Sequence, residues 1–201
     1  MSLGDLLDKV KGALSGESNS HFDKAIVETL KHEGGFVNDP VDPGGATNWG
    51  MSIRYLKQRG DADGDGWLDG DIDKDGDIDV DDVRNMTVEQ AIGLYRSGFW
   101  DKYDYDKIDD YAIAARVFDM TVNMGSRQAG KIVQRALNNV GYDLAVDGII
   151  GPNTFGAINS ANADLLMAEI RLEHAHFYLN LIEKRPELAK YKKGWLRRAA
   201  A

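Results

Sequence analysis

The sequence predicts a mainly α fold with a small β-hairpin and loop region, and three features predict it. Apolar residues recur at helical spacing along most of the chain, glycine and proline pairs interrupt that spacing in one early loop, and a single acidic tract separates two helical stretches. With 201 residues and 43% hydrophobic content, the chain can bury a core as one domain, or as one with a small appendage. There is no cysteine, which excludes a disulfide framework and a thiol nucleophile. The first twenty residues lack the basic start and unbroken apolar run of a signal peptide, and no stretch reaches the roughly 18 apolar residues of a membrane span. The expectation is a soluble protein, made in the cytoplasm and not inserted into a membrane.

Residues 1–20 read as an extension and linker, with Leu6, Leu7, Val10 and Leu14 spaced for a short amphipathic helix. Phe22, Ile26, Val27 and Leu30 give a helix over 21–32 that Gly34 and Gly35 stop. In the following stretch, two Asp-Pro pairs and a Gly-Gly pair rule out regular helix, and any β structure is expected as a hairpin within 34–50. A short helix is expected over 51–59. Past the acidic tract, Thr87 with Gln90 has the form of a capping box opening a helix through Ile92, Tyr95 and Phe99. Further helices are expected near 110–124, 127–139, 153–160, 163–184 and 187–198, broken at Gly125, between Gly141 and Pro152, and at Pro186.

Glu33 continues the apolar stripe of the first helix at its C-terminal end. Partial desolvation and the negative end of the helix dipole both favour a protonated carboxyl there, which is what a general acid needs. The loop after it supplies Asp39 and Asp42 as second carboxylates, Thr47 and Asn48 as groups able to hold water or a sugar, and Trp49 as a stacking surface. The plain alternative for Asp39 and Asp42 is an Asx turn before Pro40 and Pro43.

The run His32-Glu33-Gly34-Gly35-Phe36, followed by Asn38-Asp39-Pro40 and Asp42-Pro43-Gly44-Gly45-Ala46-Thr47-Asn48-Trp49-Gly50, resembles glycoside hydrolase family 108, the N-acetylmuramidases of phages and bacteria. The resemblance implies a lysozyme-like helical fold and a catalytic role for Glu33. The order of acid, loop aspartate and threonine is also similar to phage-type lysozymes, which makes Asp42 and Thr47 candidates for orienting or activating water, with Asp39 a rival to Asp42. Phe118-Asp119, Val122-Asn123-Met124-Gly125 and Asp147-Gly148-Ile149-Ile150-Gly151-Pro152-Asn153-Thr154 are similar to the peptidoglycan-binding region that follows the catalytic segment in these proteins.

The implied division is an extension over 1–20, a catalytic half over 21–94 that includes the acidic insert 61–82, and a helical peptidoglycan-binding half over 95–201 packed on the same cleft. Asp119 and Asn123 are four apart and share a helix face, where they could line the cleft or, as the favoured role, form a buried structural hydrogen bond. The histidines lack metal-ligand spacing, so no zinc site is expected.

The net charge of −9 is concentrated, since residues 61–82 hold eleven aspartates and one lysine. The near-neutral remainder, with Lys190, Lys192, Lys193, Arg197 and Arg198 in the tail, would not repel an anionic polymer such as the cell wall. Asp61, Asp63, Asp65 with Gly66, and Asp71, Asp73, Asp75 with Gly76, are two copies of a D-x-D-x-D-G pattern. Hard oxygen ligands at positions 1, 3, 5 and 12 with a turn glycine at 6 are the requirements of an EF-hand-type calcium loop. The second copy meets them from Asp71 to Asp82, with Asp79 also available. In the first copy position 12 is Ile72, so it must borrow Asp69, Asp71 or Asp73. One or two structural Ca²⁺ ions are expected, with no organic cofactor.

These readings converge on a monomeric peptidoglycan hydrolase that cuts between N-acetylmuramic acid and N-acetylglucosamine, with no nucleic-acid partner, reaching the wall by holin- or secretion-dependent release, as an endolysin would. The alternatives are a non-catalytic wall-binding or secretion-associated protein of the same fold, and a calcium-dependent module whose insert contacts a partner.

Overall fold

The structure, a computed structural model, describes residues 10, 12, 20–30, 35–38, 45–61, 64 and 66–201. It is mainly helical with one small antiparallel hairpin, and divides into two compact units, Met1–Lys102 and Tyr103–Ala201. Most of the expected N-terminal helix and linker lies outside the described residues.

In the first unit, α1 (His21–Leu30) starts at a capping box. The Asp23 amide donates to Ser20 Oγ and the Ser20 amide donates to Asp23 Oδ2, each at 3.2 Å. The helix buries Phe22, Ile26 and Leu30, as its spacing predicts. The hairpin pairs β1 (Thr47–Asn48) with β2 (Met51–Ser52), so it falls at the far end of the expected window and runs past it. Ser52 then caps α2 (Ile53–Arg59), where a single helix was expected from 51 onward.

Two further elements differ from expectation. A short helix, α3 (Val80–Asn85), closes the acidic insert, capped by Asp79 and Asp82, which read from sequence only as ligands. The Thr87/Gln90 capping box opens α4 (Val88–Tyr95) as expected, but the chain then widens into a π-helical turn over Arg96–Trp100. That turn stacks Phe99 on Tyr55 at 5.2 Å and sets fully buried Trp100 edge-on to Phe22 at 5.6 Å. Contact with α1 seats this turn in the first unit, which extends to Lys102.

The second unit is built from α5 (Tyr111–Met124), α6 (Ser126–Asn139), α7 (Pro152–Ser160), α8 (Ala163–Lys184) and α9 (Lys192–Ala200). Asp110 and Asn162 cap α5 and α8 through the amides of Ile113 and Leu165, at 2.9 and 3.0 Å. Gly125, at φ 83, is the break between α5 and α6. The last expected helix is shorter than its pattern, because Pro186–Tyr191 forms a 3₁₀ turn first. Val117, Phe118, Ile132, Val133, Leu137, Leu166 and Ile170 fill the core, each burial contributing about 1.5–3 kcal/mol. Gly130 of α6 meets the Asp147–Gly148 turn so closely that a β-carbon on it would lie 2.4 Å from the Gly148 carbonyl oxygen. Buried Gln134 fastens that turn, donating to Asp147 Oδ1 at 2.7 Å and accepting from the Gly148 amide at 2.8 Å.

His174 of α8 is fully buried, its ring 4.6 Å from that of Tyr178, and neither ring nitrogen has a hydrogen-bond partner among the described residues. Burial, then the Arg116 and Arg198 charges, drive its pKa down to about 4, opposed by Asp119. The folded state therefore holds this proton less tightly than the unfolded chain, so the stabilisation is complete above the ordinary value of 6.5 and is lost as pH falls toward 4. The loss is on the order of 3 kcal/mol. Replacing His174 with Leu should flatten urea-unfolding stability between these pH values; an unchanged acid slope would contradict this assignment.

Candidate active site and acidic insert

The hairpin is where the described residues approach the expected chemistry. Glu33, Asp39 and Asp42 lie outside the described residues, but the segments that flank them are described. Val37 and Thr47 exchange both backbone hydrogen bonds at 2.8 Å, forming an isolated antiparallel bridge. Val37, just after the Glu33 motif, is thereby paired with the strand bearing Thr47, on either side of the stretch that contains both candidate aspartates. Thr47 is half-buried, and its partner in β2 is Ser52.

Asn48 and Trp49 take roles other than the expected ones. Asn48 is 5% exposed, and its Nδ2 donates to the carbonyls of Val83 at 2.9 Å and of Arg84 and Met86 at 3.4 Å. Its Nδ2 is thus spent on the end of α3 rather than left open to a sugar. Trp49 and Gly50 are the two turn residues of the hairpin, with φ of 52° and 77°. Positive φ at both positions is the requirement of a tight I′ turn, and it strains any residue other than Gly, Asn or Asp. Trp49 is held there by its Nε1, which donates to Met86 O at 3.0 Å, and by its own carbonyl, which accepts from Tyr95 Oη at 3.1 Å. With 9% of its surface exposed, it offers no open face for stacking on a sugar.

In the second unit, Asp119 pairs with Arg198 at 2.8 Å, tying α5 to α9. Exposed Asn123 donates to the Asp119 carbonyl oxygen at 2.7 Å, so the expected same-face pair exists as a surface arrangement rather than a buried one. Of the basic tail residues, Arg198 is thus already engaged by a carboxylate.

The second calcium-type loop is organised around two buried carboxylates. Asp71 and Asp82 are 5% and 1% exposed. Asp71 accepts from the amides of Asp75 and Gly76 at 3.2 and 3.0 Å, and Asp82 accepts from those of Ile72 and Asp79 at 2.6 and 2.7 Å. Oxygens of Asp71, Asp73 and Asp82 lie within 4.8 Å of one another, as do those of Asp77, Asp79 and Asp82. Desolvation and the neighbouring Asp75 and Asp82 charges raise the Asp73 pKa, and Asp75 raises that of Asp77. Three hard oxygens converging where like charges repel is a donor set that fits a Ca²⁺ ion. Asp77 was not expected to contribute a carboxylate.

The first copy is only partly described, since Asp63 and Asp65 lie outside the described residues. Asp61 accepts from the amides of Gly64 and Gly66 at 2.8 and 3.1 Å. Asp69, one of the residues expected as a borrowed ligand, receives Arg59 Nε and Nη2 on its Oδ2 at 3.0 and 2.5 Å. That ion pair, together with the Asp69 amide donating to Gly60 O at 2.8 Å, anchors the insert to α2.

The Glycosyl hydrolase 108 family matches residues 26–125, and a family described as Predicted Peptidoglycan domain matches residues 128–200. Twelve solved chains match. Among them is one titled "Structure of Brucella abortus SagA", with a TM-score of 0.67 and 25% identity over 91% of this chain and 91% of that chain. No curated protein matches. The two families occur in the order the Glu-Gly-Gly motif and the Asp-Gly turn imply, and the fold agrees over nearly the whole length. The two matches in this order, with the structural likeness, fit a glycoside hydrolase family 108 protein, a peptidoglycan hydrolase with a peptidoglycan-binding region behind its hydrolase segment.

Proposed function

We propose that this hydrolase is an N-acetylmuramidase, cleaving the β-1,4 bond between N-acetylmuramic acid and N-acetylglucosamine with Glu33 as general acid. Asp42, with Asp39 as its rival, positions or activates the attacking water, and Thr47 orients it. The observation that supports this reading is the Val37–Thr47 bridge. It pairs Val37, four residues after the acid, with the strand that carries the threonine, on either side of the stretch that holds the second carboxylates. Purified peptidoglycan digested by the protein should release fragments with N-acetylmuramic acid at the reducing end, detected by mass spectrometry after reduction. Fragments ending in N-acetylglucosamine, or released peptides alone, would overturn the bond assignment.

The insert is proposed to hold Ca²⁺ through Asp71, Asp73, Asp75 and Asp82. A bound cation would neutralise the mutual repulsion of these carboxylates and let the insert order, a structural rather than a chemical contribution.

A further inference from the structure

We propose that the C-terminal end of α3, Val83–Met86, is a positioning element for the cleavage site, and that Asn48 is the residue through which it acts. The inference rests on reading the Glu33–Thr47 region as the site of glycan cleavage. It goes beyond that reading by assigning a role to a helix end that carries no chemistry of its own.

The helix end holds both arms of the bridged loop. On the outgoing arm, Asn48 donates to three of its carbonyls and Trp49 donates to the last of them. On the incoming arm, the Arg84 guanidinium lies over the Phe36 ring at 5.1 Å. Phe36 precedes Val37, and Asn48 follows Thr47, so the supports sit directly beside the bridge on either side. The last carbonyls of a helix lack intrahelical partners. Asn48 satisfies those of α3 while fixing where β1 begins its turn. A surface contact would leave the bridge free to shift, whereas an amide 5% exposed and shared among three carbonyls defines its place closely. The turn is also strained at Trp49, and it would relax if the indole N–H and the Asn48 amide were lost.

Asn48→Asp keeps the side-chain shape, removes the donor and sets a carboxylate against three carbonyl oxygens. Misplacement by about an ångström costs on the order of 100-fold in rate. With soluble peptidoglycan oligomers, kcat should fall by roughly 10- to 100-fold while KM stays within about twofold. Backbone amide exchange at Val37 and Thr47 should accelerate at least about tenfold, with residues 103–201 unchanged. If Asn48→Asp does not fold, Trp49→Phe and Arg84→Gln carry the same readouts with smaller shifts in the same direction.

Folded variants whose exchange at Val37 and Thr47 matches the wild type would overturn the proposal. So would faster exchange with an undiminished kcat, which would make Asn48 structural only. The identity of the released reducing end is read in the same digest, so a wrong bond assignment is seen separately from a wrong positioning assignment.

Discussion

Glu33→Gln should reduce turnover of peptidoglycan by on the order of 1,000-fold, within the range general acid catalysis contributes. The amide is close to the carboxyl in shape but has no proton to give to a departing glycosidic oxygen. Departure without protonation leaves an alkoxide, which is a poor leaving group near neutral pH. Binding to sacculi should persist, because residues 128–200 carry the separate peptidoglycan-binding segment. The measurement is turbidity loss together with pelleting of the protein on intact sacculi. Loss of both would mean the substitution disturbs the fold, and loss of neither would remove Glu33 from the chemistry. The proposed roles of Asp42 and Thr47 predict smaller effects, since each acts on water and leaves the acid in place.

Calcium should raise the melting temperature of the first unit by about 10 °C or more at a concentration near 100 times its dissociation constant. Linkage at that ratio contributes about 2.7 kcal/mol, and each kcal/mol moves a domain of this size by about 4–8 °C. Chelation should reverse the shift, and Asp82→Asn should abolish it. Asp82 is the informative position because it serves both purposes: its carboxylate belongs to both oxygen clusters and also receives the amides that fold the loop onto α3. Scanning calorimetry with and without calcium measures the shift. An Asp82→Asn protein that still responds fully would place the cation elsewhere, and a wild type with no response would leave the acidic loop as a solvated one.

Helices whose ends carry their own chemistry were legible from sequence almost to the residue. The Thr87/Gln90 box and the Gly125 break each satisfy or forbid specific backbone groups, so position follows from residue type, and the helix expected from 153 starts one residue earlier at Pro152. Legibility failed where tertiary contacts decide. Asp79 and Asp82 have the spacing of calcium ligands and of a helix N-cap at once, and only the folded loop displays the second use. The π turn at Arg96–Trp100 has no composition signature, since it follows from seating Trp100 and Phe99 against partners distant in sequence. At the site, Glu33 and Asp42 lie outside the described residues, and only the pairing of Thr47 with Val37 is seen. The burial of Asn48 and Trp49 was not legible, because a buried amide and an indole look the same in sequence as exposed ones. Trp-Gly is also an uncommon pair for a tight hairpin turn, and the bonds from Met86 and Tyr95 that stabilise it come from far along the chain.

The close approach of Gly130 to Gly148 limits how this part of the sequence can drift. Where two elements meet through side chains, a change of volume on one can be offset by the opposite change on the other. Here backbone meets backbone: a β-carbon on Gly130 would strike the Gly148 carbonyl, and one on Gly148 would strike the Arg127 carbonyl, 2.3 Å away. Arg127 Cγ also comes within 2.8 Å of the Gly148 position, but shortening that side chain would leave the backbone clash, so no second substitution at these positions restores the first. The two glycines are therefore fixed independently of each other, and the wall-binding segment can diversify only around this contact.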